Sequence, residues 1–438
     1  MQASAGPPSR SWRALPGTRT ALALSALALV TVAVGLILES SSGLGAPLAP
    51  FFATGDVRVD PAVLVALPVL ALCLAATVPL ARGAGGPAAF LAGSLAIALA
   101  ARLAVAAARD GVDGWFAVFG VDPEGANEYL PALPALDSLG VGAFLDRFAE
   151  LSPTLPIHPS AHPPGTLLLF DALGVSGPRV AAALVIGLGV LVVPLTYALG
   201  RRVGLDELRC RAATLLVAFS PAALLYGVVS ADAMFATLGL AAACLLLGSG
   251  WAGRVAGAVV LALASFFSWA LLAIGAFSAV VTWRRDGLAA ALRLSVAAGA
   301  GVLAFYGVLH ALTGFDPIGA VEAAGEAYDL GISNARPYLF WLFGSPVAFA
   351  VALGLPTAWF AARALGTGND AAVALALIVA VSVLIGVTKA ENERIWLFMV
   401  PLAAVAAAAV VPVRHMPAIL AALCAQAVAA SLLLETIW

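Results

Sequence analysis

The chain has 438 residues, 62% of them hydrophobic and only 11% charged, with a formal net charge of −2. Apolar runs of about 18 or more residues recur along its whole length, the pattern of an all-α polytopic integral membrane protein. A membrane β-barrel would need alternating segments of roughly ten residues, and these are absent; the thin, scattered basic residues give no footprint for nucleic acid.

Hydropathy places membrane spans at 20–38, 61–81, 87–108, 178–200, 210–229, 232–249, 254–283, 289–312, 338–361, 371–388, 395–412 and 417–435. An N-terminus inside, suggested by Arg10, Arg13 and Arg19, gathers fourteen of the 22 basic residues on one face with only Asp206, Glu207, Asp286 and Asp370 as acids. This satisfies the positive-inside rule provided that 254–283 crosses twice or folds back as a hairpin, with its bend at Ser265-Phe266-Phe267-Ser268. About twelve or thirteen passes are therefore expected. The expected plan is a cytoplasmic tail, 1–19, followed by a single transmembrane domain, 20–438. Its outer loops are 109–163, 313–337 and 389–394, with a shorter one at 39–60.

The first span follows a basic segment, but its apolar run is long and no small-x-small cleavage site follows cleanly. A retained anchor is therefore expected rather than a cleaved signal peptide. Cys73, Cys210, Cys244 and Cys424 fall in or beside apolar spans without metal spacing, and no disulfide is expected to shape the outer loops. No internal repeat stands out, which weighs against an inverted-repeat transporter.

The largest polar stretch is the loop 109–163. It carries Asp110, Asp113, Asp122, Glu124, Glu128, Asp137, Asp146 and Glu150 against Arg109 and Arg147. Leu136 to Leu151 reads as an amphipathic surface helix, with Leu139, Phe144, Leu145 and Phe148 on its apolar stripe. The loop then runs through His158 to His162-Pro163-Pro164-Gly165, followed by a short apolar segment, Thr166–Leu173. Beyond it, 313–337 is a second loop in which Glu322 and Glu326 share a helical face. The late loop holds Lys389, Glu391, Glu393 and Arg394, and Lys389 is the one lysine of the chain.

This arrangement resembles the GT-C superfamily of membrane glycosyltransferases, in particular its protein-mannosyltransferase and aminoarabinose-transferase-like branch. Members of that branch carry an acidic motif in the first large outer loop with a tyrosine just after it, then a surface helix, then a His-Pro-Pro or Lys-Pro-Pro motif. The matching residues are Asn127-Glu128-Tyr129 and His162-Pro163-Pro164-Gly165. Ser220-Pro221 through Tyr226 to Asp232, and the stretch Lys389 to Trp396, fit as well. By topology the resemblance covers most of the chain; at residue level it rests on about twenty positions. The chain departs from the pattern at Asn127, where an aspartate is usual.

The resemblance implies an integral membrane glycosyltransferase. It would move a sugar, with inversion, from a polyprenyl-phosphate donor to an extracytoplasmic glycan, lipid or protein acceptor. Glu128 is then the expected base, with Asp110, Asp113, Asp122 and Glu124 left open. The chemistry asks for the same residue types: a carboxylate to deprotonate the acceptor hydroxyl, and cations to stabilise the leaving phosphate. His162, Arg336, Lys389 and Arg394 are the cationic candidates, with Asn127 and Tyr129 beside the base. A divalent Mg or Mn ion is a possible cofactor, since loop acids and His162 offer hard oxygen and imidazole ligands. Expected partners are the lipid-linked donor, the acceptor and membrane lipids, and the expected location is the plasma membrane of a bacterium, active face outward.

The alternative is a membrane transporter or lipid-linked-sugar flippase. It predicts ionisable residues near the bilayer midplane, whereas this sequence puts nearly all its charge at the outer ends of spans; Arg102, about two turns inside the third span, stands out and can snorkel outward or face a site. A scaffold without activity would not need acids clustered beside His162.

Overall fold

The computed structural model describes residues 15–120, 124–386 and 388–436. Arg10, Arg13 and Asp122 lie outside them. Among the described residues the chain is helical throughout except for one short antiparallel pairing, Ala53–Gly55 with Leu434–Thr436.

Six helical segments are long and apolar enough to cross a membrane: Thr18–Glu39, Val63–Ala81, Pro87–Phe119, Pro178–Arg202, Leu288–Thr313 and Val413–Leu433. Leu64, Leu72, Leu303 and Leu312 on them point outward and are exposed. Such faces are costly in water and ordinary against lipid. The chain is thus an all-α polytopic membrane protein.

The twelve or thirteen expected passes are not all full-length helices. Two are bent pairs, and counting each as one span gives eight. Glu207–Ala218 and Pro221–Val229 meet at 54°, because Pro221 cannot donate to the preceding turn. Tyr338–Leu353 and Leu355–Gly366 meet at 117° across Gly354. Gly354 has φ +101, open to glycine and strained for other residues, and a Cβ there would stand 2.1 Å from Leu423. This bent pair still spans the length of the first helix, since Phe340 lies against Gly35 and Gly366 against Thr20. Four further expected passes are shorter apolar helices: Asp232–Leu246, Trp251–Ser265, Asp370–Ile385 and Leu397–Ala408.

The expected break in 254–283 is present. Trp251–Ser265 ends at Phe266, and Leu272–Asp286 begins after the short turn Trp269–Leu271. The outer limits of the two helices, Arg254 and Arg285, line one cavity, while the bend between them touches Gly165. The two helices therefore form a hairpin. The Asp232–Leu246 helix runs beside them between the same two ends, a length of about 22 Å at 1.5 Å per residue.

The centre is built from small side chains. Every residue of Val400–Ala408 is buried, and Ala403, Ala404, Ala406, Ala407 and Ala408 have no exposed surface. Where lipid is as apolar as leucine, close backbone approach through small residues is what holds helices together. The alanine-rich composition is thus a packing device.

Above one end of the bundle lie the surface helices. Leu133–Asp146 buries Leu136, Phe144 and Leu145, and Phe148 continues the stripe, as the sequence pattern requires. It kinks at Gly140, where φ is +72. Pro317–Leu330 packs beside the Ile157–Ala161 turn, with Glu322 and Glu326 exposed.

Candidate functional site

Glu128 sits at the end of a tight 3-10 turn, Gly125–Asn127. The turn forms because Gly125 presses onto the backbone of Gly120, so closely that a Cβ would stand 2.1 Å from the Gly120 carbonyl oxygen. The chain direction that results carries the Glu128 side chain inward, where it is 2% exposed. Tyr129, also buried, packs edge-on to Phe170 at 6.1 Å. The motif is thus anchored by one aromatic contact and one glycine.

The Glu128 carboxylate oxygen Oε1 lies 3.7 Å from His158 Nε2, and among the described residues its Oε2 has no hydrogen-bond partner. Burial pushes the Glu128 carboxyl up to about 8, with Asp232 and Glu124 adding to the rise and Arg394 opposing it. Burial likewise holds the His158 imidazole well below its usual range, with Arg394 and His162 adding to this. His162 is pushed down to about 4, again by burial first, with Asp232 opposing and Arg394 assisting. Both histidines are therefore neutral at pH 7 and offer N–H donors rather than positive charge.

The buried cation of the cluster is Arg394. Its Nη1 lies 3.2 Å from Asp232 Oδ2, and its Nη2 lies 3.4 Å from Glu391 Oε2. Burial works against this charge, but Asp232 and Glu391 outweigh it and hold the guanidinium protonated. Asp232 is fixed in turn by the Ser230 hydroxyl, which donates to Oδ2 at 2.7 Å. Glu393, beside Arg394, accepts from the Phe52 N–H at 2.9 Å, and burial raises its carboxyl to about 7. Glu124 is coupled to Arg394 and accepts from Asn127 Nδ2 at 3.3 Å; burial raises its carboxyl too. Asn127 thus serves Glu124 and holds the turn.

The structure separates the remaining candidates. Arg336 is buried and engaged by framework groups. Its Nε donates to the Gly45 carbonyl at 3.0 Å, its Nη1 donates to the Lys389 carbonyl, and both terminal nitrogens reach Glu391 Oε1 at 3.3 Å. It also stacks over Phe52 at 5.1 Å. Lys389 Nζ donates to the Arg336 carbonyl at 3.1 Å and lies 5.6 Å over the Tyr328 ring. These two residues staple the late loop in place, and reach Arg394 through Glu391. The stapled loop holds Ala390 and Glu391 at φ +67 and +60, a region that side chains other than glycine, asparagine and aspartate rarely adopt. That conformation is what turns the Glu391 carboxylate between Arg336 and Arg394.

Asp110 belongs to a different network, 3.0 Å from Arg58 and 3.7 Å from Arg109. Arg109 also clamps Asp56 at 2.9 Å and the Ser431 carbonyl at 3.0 Å. Asp113 lies exposed in the following 3-10 turn.

The His162-Pro163-Pro164-Gly165 motif works through its backbone. Gly165 N–H donates to the Phe266 carbonyl at 2.9 Å, and a Cβ at Gly165 would stand 2.3 Å from that oxygen. This bond docks the loop on the bend of the helical hairpin. The His162 ring meets the Phe235 ring at 5.4 Å, one turn along from Asp232.

His158, Asp232 and Glu391 join this cluster in the structure, although none of them was singled out as a site residue from the sequence. For Asp232 a signal was present, in the Ser220–Asp232 stretch at a span junction. His158 gave none, because its distance from Glu128 is set by the fold of the whole loop. Among the described residues, no group of three or more histidine, cysteine, aspartate or glutamate side chains is placed to ligate a metal ion. No family model, curated protein or solved structure matches this chain.

Proposed function

We propose that the protein is a membrane glycosyltransferase that moves a sugar from a polyprenyl-phosphate donor to an extracytoplasmic acceptor, with Glu128 as the base. One observation carries this reading. A buried carboxyl, one oxygen of which has no hydrogen-bond partner among the described residues, stands beside His158 in a cluster that holds the buried cation Arg394. Charges this costly to bury in a membrane protein are retained for chemistry.

In the step proposed, ionised Glu128 takes the proton of the acceptor hydroxyl. The acceptor oxygen bonds to the anomeric carbon, and the bond from that carbon to the phosphate oxygen breaks. The phosphate leaves with the electron pair, and the configuration inverts. A carboxyl near 8 is ionised in about one molecule in ten at pH 7, yet its proton affinity is well matched to its task. Arg394 supplies positive charge to the leaving phosphate, which must draw it away from Asp232 or Glu391. His158 and His162, both neutral, can donate hydrogen bonds to the same oxygens. Arg336 and Lys389 position the loop rather than touch the donor. The donor enters from the membrane along its polyprenyl chain, on the face away from the clustered arginines. No step is assigned to a metal.

The test is sugar transfer by the purified protein in vesicles supplied with a polyprenyl-phosphate sugar and candidate acceptors. Glu128→Gln should lower kcat by about 10²- to 10⁴-fold, the range for a lost general base. Full transfer by Glu128→Gln would remove the base assignment, and no transfer from any polyprenyl-phosphate sugar would remove the function.

A second reading, transport, draws on Arg102. It is 1% exposed inside the Pro87–Asp110 helix, and among the described residues its Nε and Nη1 have no hydrogen-bond partner. A lone cation deep in the bundle suits a substrate path. Movement of a lipid-linked sugar across vesicles without cleavage, abolished by Arg102→Leu and spared by Glu128→Gln, would favour it.

A further inference from the structure

At the end of the bundle opposite Glu128 lies a cavity of about 570 Å³. Five arginines line it, Arg201, Arg202, Arg254, Arg285 and Arg293, with Asp286 as the one acid. They come from four places in the chain: the end of Pro178–Arg202, the start of Trp251–Ser265, the end of Leu272–Asp286 and the first turns of Leu288–Thr313. The helical hairpin and its neighbouring helices thus bring arginine side chains together on one space.

Arg201 meets the Cys210 side chain and acts on Glu207 from beyond ion-pair distance. Arg284, next to Arg285 in sequence, is paired with Asp370 at 3.0 Å and stays outside the cavity lining. Among the described residues none of the five cavity arginines has a carboxylate within 4.0 Å. Arg285 donates to the Arg202 carbonyl, and Arg254 reaches the Gly248 carbonyl at 3.4 Å. Both contacts steer guanidinium groups and neutralise nothing.

We infer that this cavity binds a ligand with two phosphate groups, the headgroup of a two-phosphate membrane lipid or a soluble diphosphate. A bias of positive charge to one membrane face needs no cavity and would leave its arginines dispersed. Here five of them line one open cavity, of a volume within the range of small-molecule sites. Each guanidinium fork can grip two oxygens of one phosphate, so five arginines on one space can hold two phosphates at once. Basic pockets between helices at a membrane face recognise phosphate headgroups by this chemistry. The inference is independent of any reaction at Glu128.

The experiment uses the full chain in phosphatidylcholine nanodiscs doped with diphosphatidylglycerol, binding being read by native mass spectrometry. Saturable binding is expected, weakened more than tenfold in R254Q/R293Q, since each arginine at a membrane surface is worth about a factor of five. The control R82Q/R414Q, which removes two arginines from the same end but outside the cavity, should bind within twofold of wild type. Displacement of the lipid by inorganic pyrophosphate would show that the paired phosphates alone suffice; failure to displace would assign the site to the lipid. Equal weakening in both pairs, or no saturable binding of either probe, overturns the inference. If R254Q/R293Q does not fold, R254K/R293K decides. Charge without the guanidinium fork should give an intermediate loss, and unchanged binding would overturn the proposal.

Discussion

Glu128 Oε1 and His158 Nε2 lie 3.7 Å apart, both side chains buried, and burial favours the neutral form of each. A neutral acid beside a neutral imidazole costs far less to bury than an ion pair without further partners. The pair can therefore wait in the protein interior and acquire charge when a substrate arrives. Its pH behaviour follows.

Burial raises the Glu128 carboxyl from 4.5 to about 8. The folded state thus prefers the protonated form, a contribution complete below about 4.5 and lost as pH rises through about 8. Thermal unfolding in detergent should show Tm falling by several degrees between about pH 6 and 9, and Glu128→Gln should flatten that limb. Glu393, raised to about 7, adds to the same slope. An identical slope in wild type and Glu128→Gln would contradict the burial argument.

His162 titrates with the opposite sign. Its imidazole is pushed from 6.5 down to about 4, so its contribution is present above about 6.5 and lost as pH falls through about 4. His162→Phe keeps an aromatic ring against Phe235 while removing the titration. Unfolding measured from about pH 7 to 4 should show a shallower acid loss in this variant than in wild type.

Asp232 and Arg394 are a buried pair 3.2 Å apart. Removing one partner of such a pair typically costs about 3–5 kcal/mol, because the other charge is left uncompensated. Asp232→Asn should approach the low end of that range, since Glu391 still faces Arg394 at 3.4 Å. A double-mutant cycle with Glu391→Gln should show coupling of about 1 kcal/mol or more. Additive losses would mean that the two carboxylates do not share the guanidinium.

Gly165→Ala puts a Cβ 2.3 Å from the Phe266 carbonyl oxygen, where only backbone movement relieves the clash. The expected loss is about 1–3 kcal/mol, together with transfer activity, since the histidine loop is docked there. Gly142→Ala is the contrast: nothing lies within 4 Å of its Cβ, and in a helix the change should be neutral or stabilising by up to about 1 kcal/mol. Chemical denaturation of both variants in one detergent checks the pair. Equal losses would show that glycine content, not the Phe266 contact, sets the cost.

Composition and periodicity alone determined that the chain is helical and membrane-spanning, because a bilayer demands long apolar helices and the sequence has them. The amphipathic stripe around Phe144 and Phe148 and the break at Phe266 were legible for the same reason: each is a local pattern of three to seven residues. Glu128, His162 and Arg394 were legible as ionisable residues of the polar loops. The tertiary structure decided the rest. It broke passes at Gly354 and Pro221, where the sequence read continuous apolar runs, since hydropathy does not register a backbone angle. It turned Arg336 and Lys389, indistinguishable by charge from Arg394, into staples for the 389–391 loop. It brought His158 to Glu128 and Asp232 to Arg394, contacts between segments far apart in the chain. Local sequence encodes how strongly a residue prefers water or lipid; which buried charge meets which is fixed only when the helices pack.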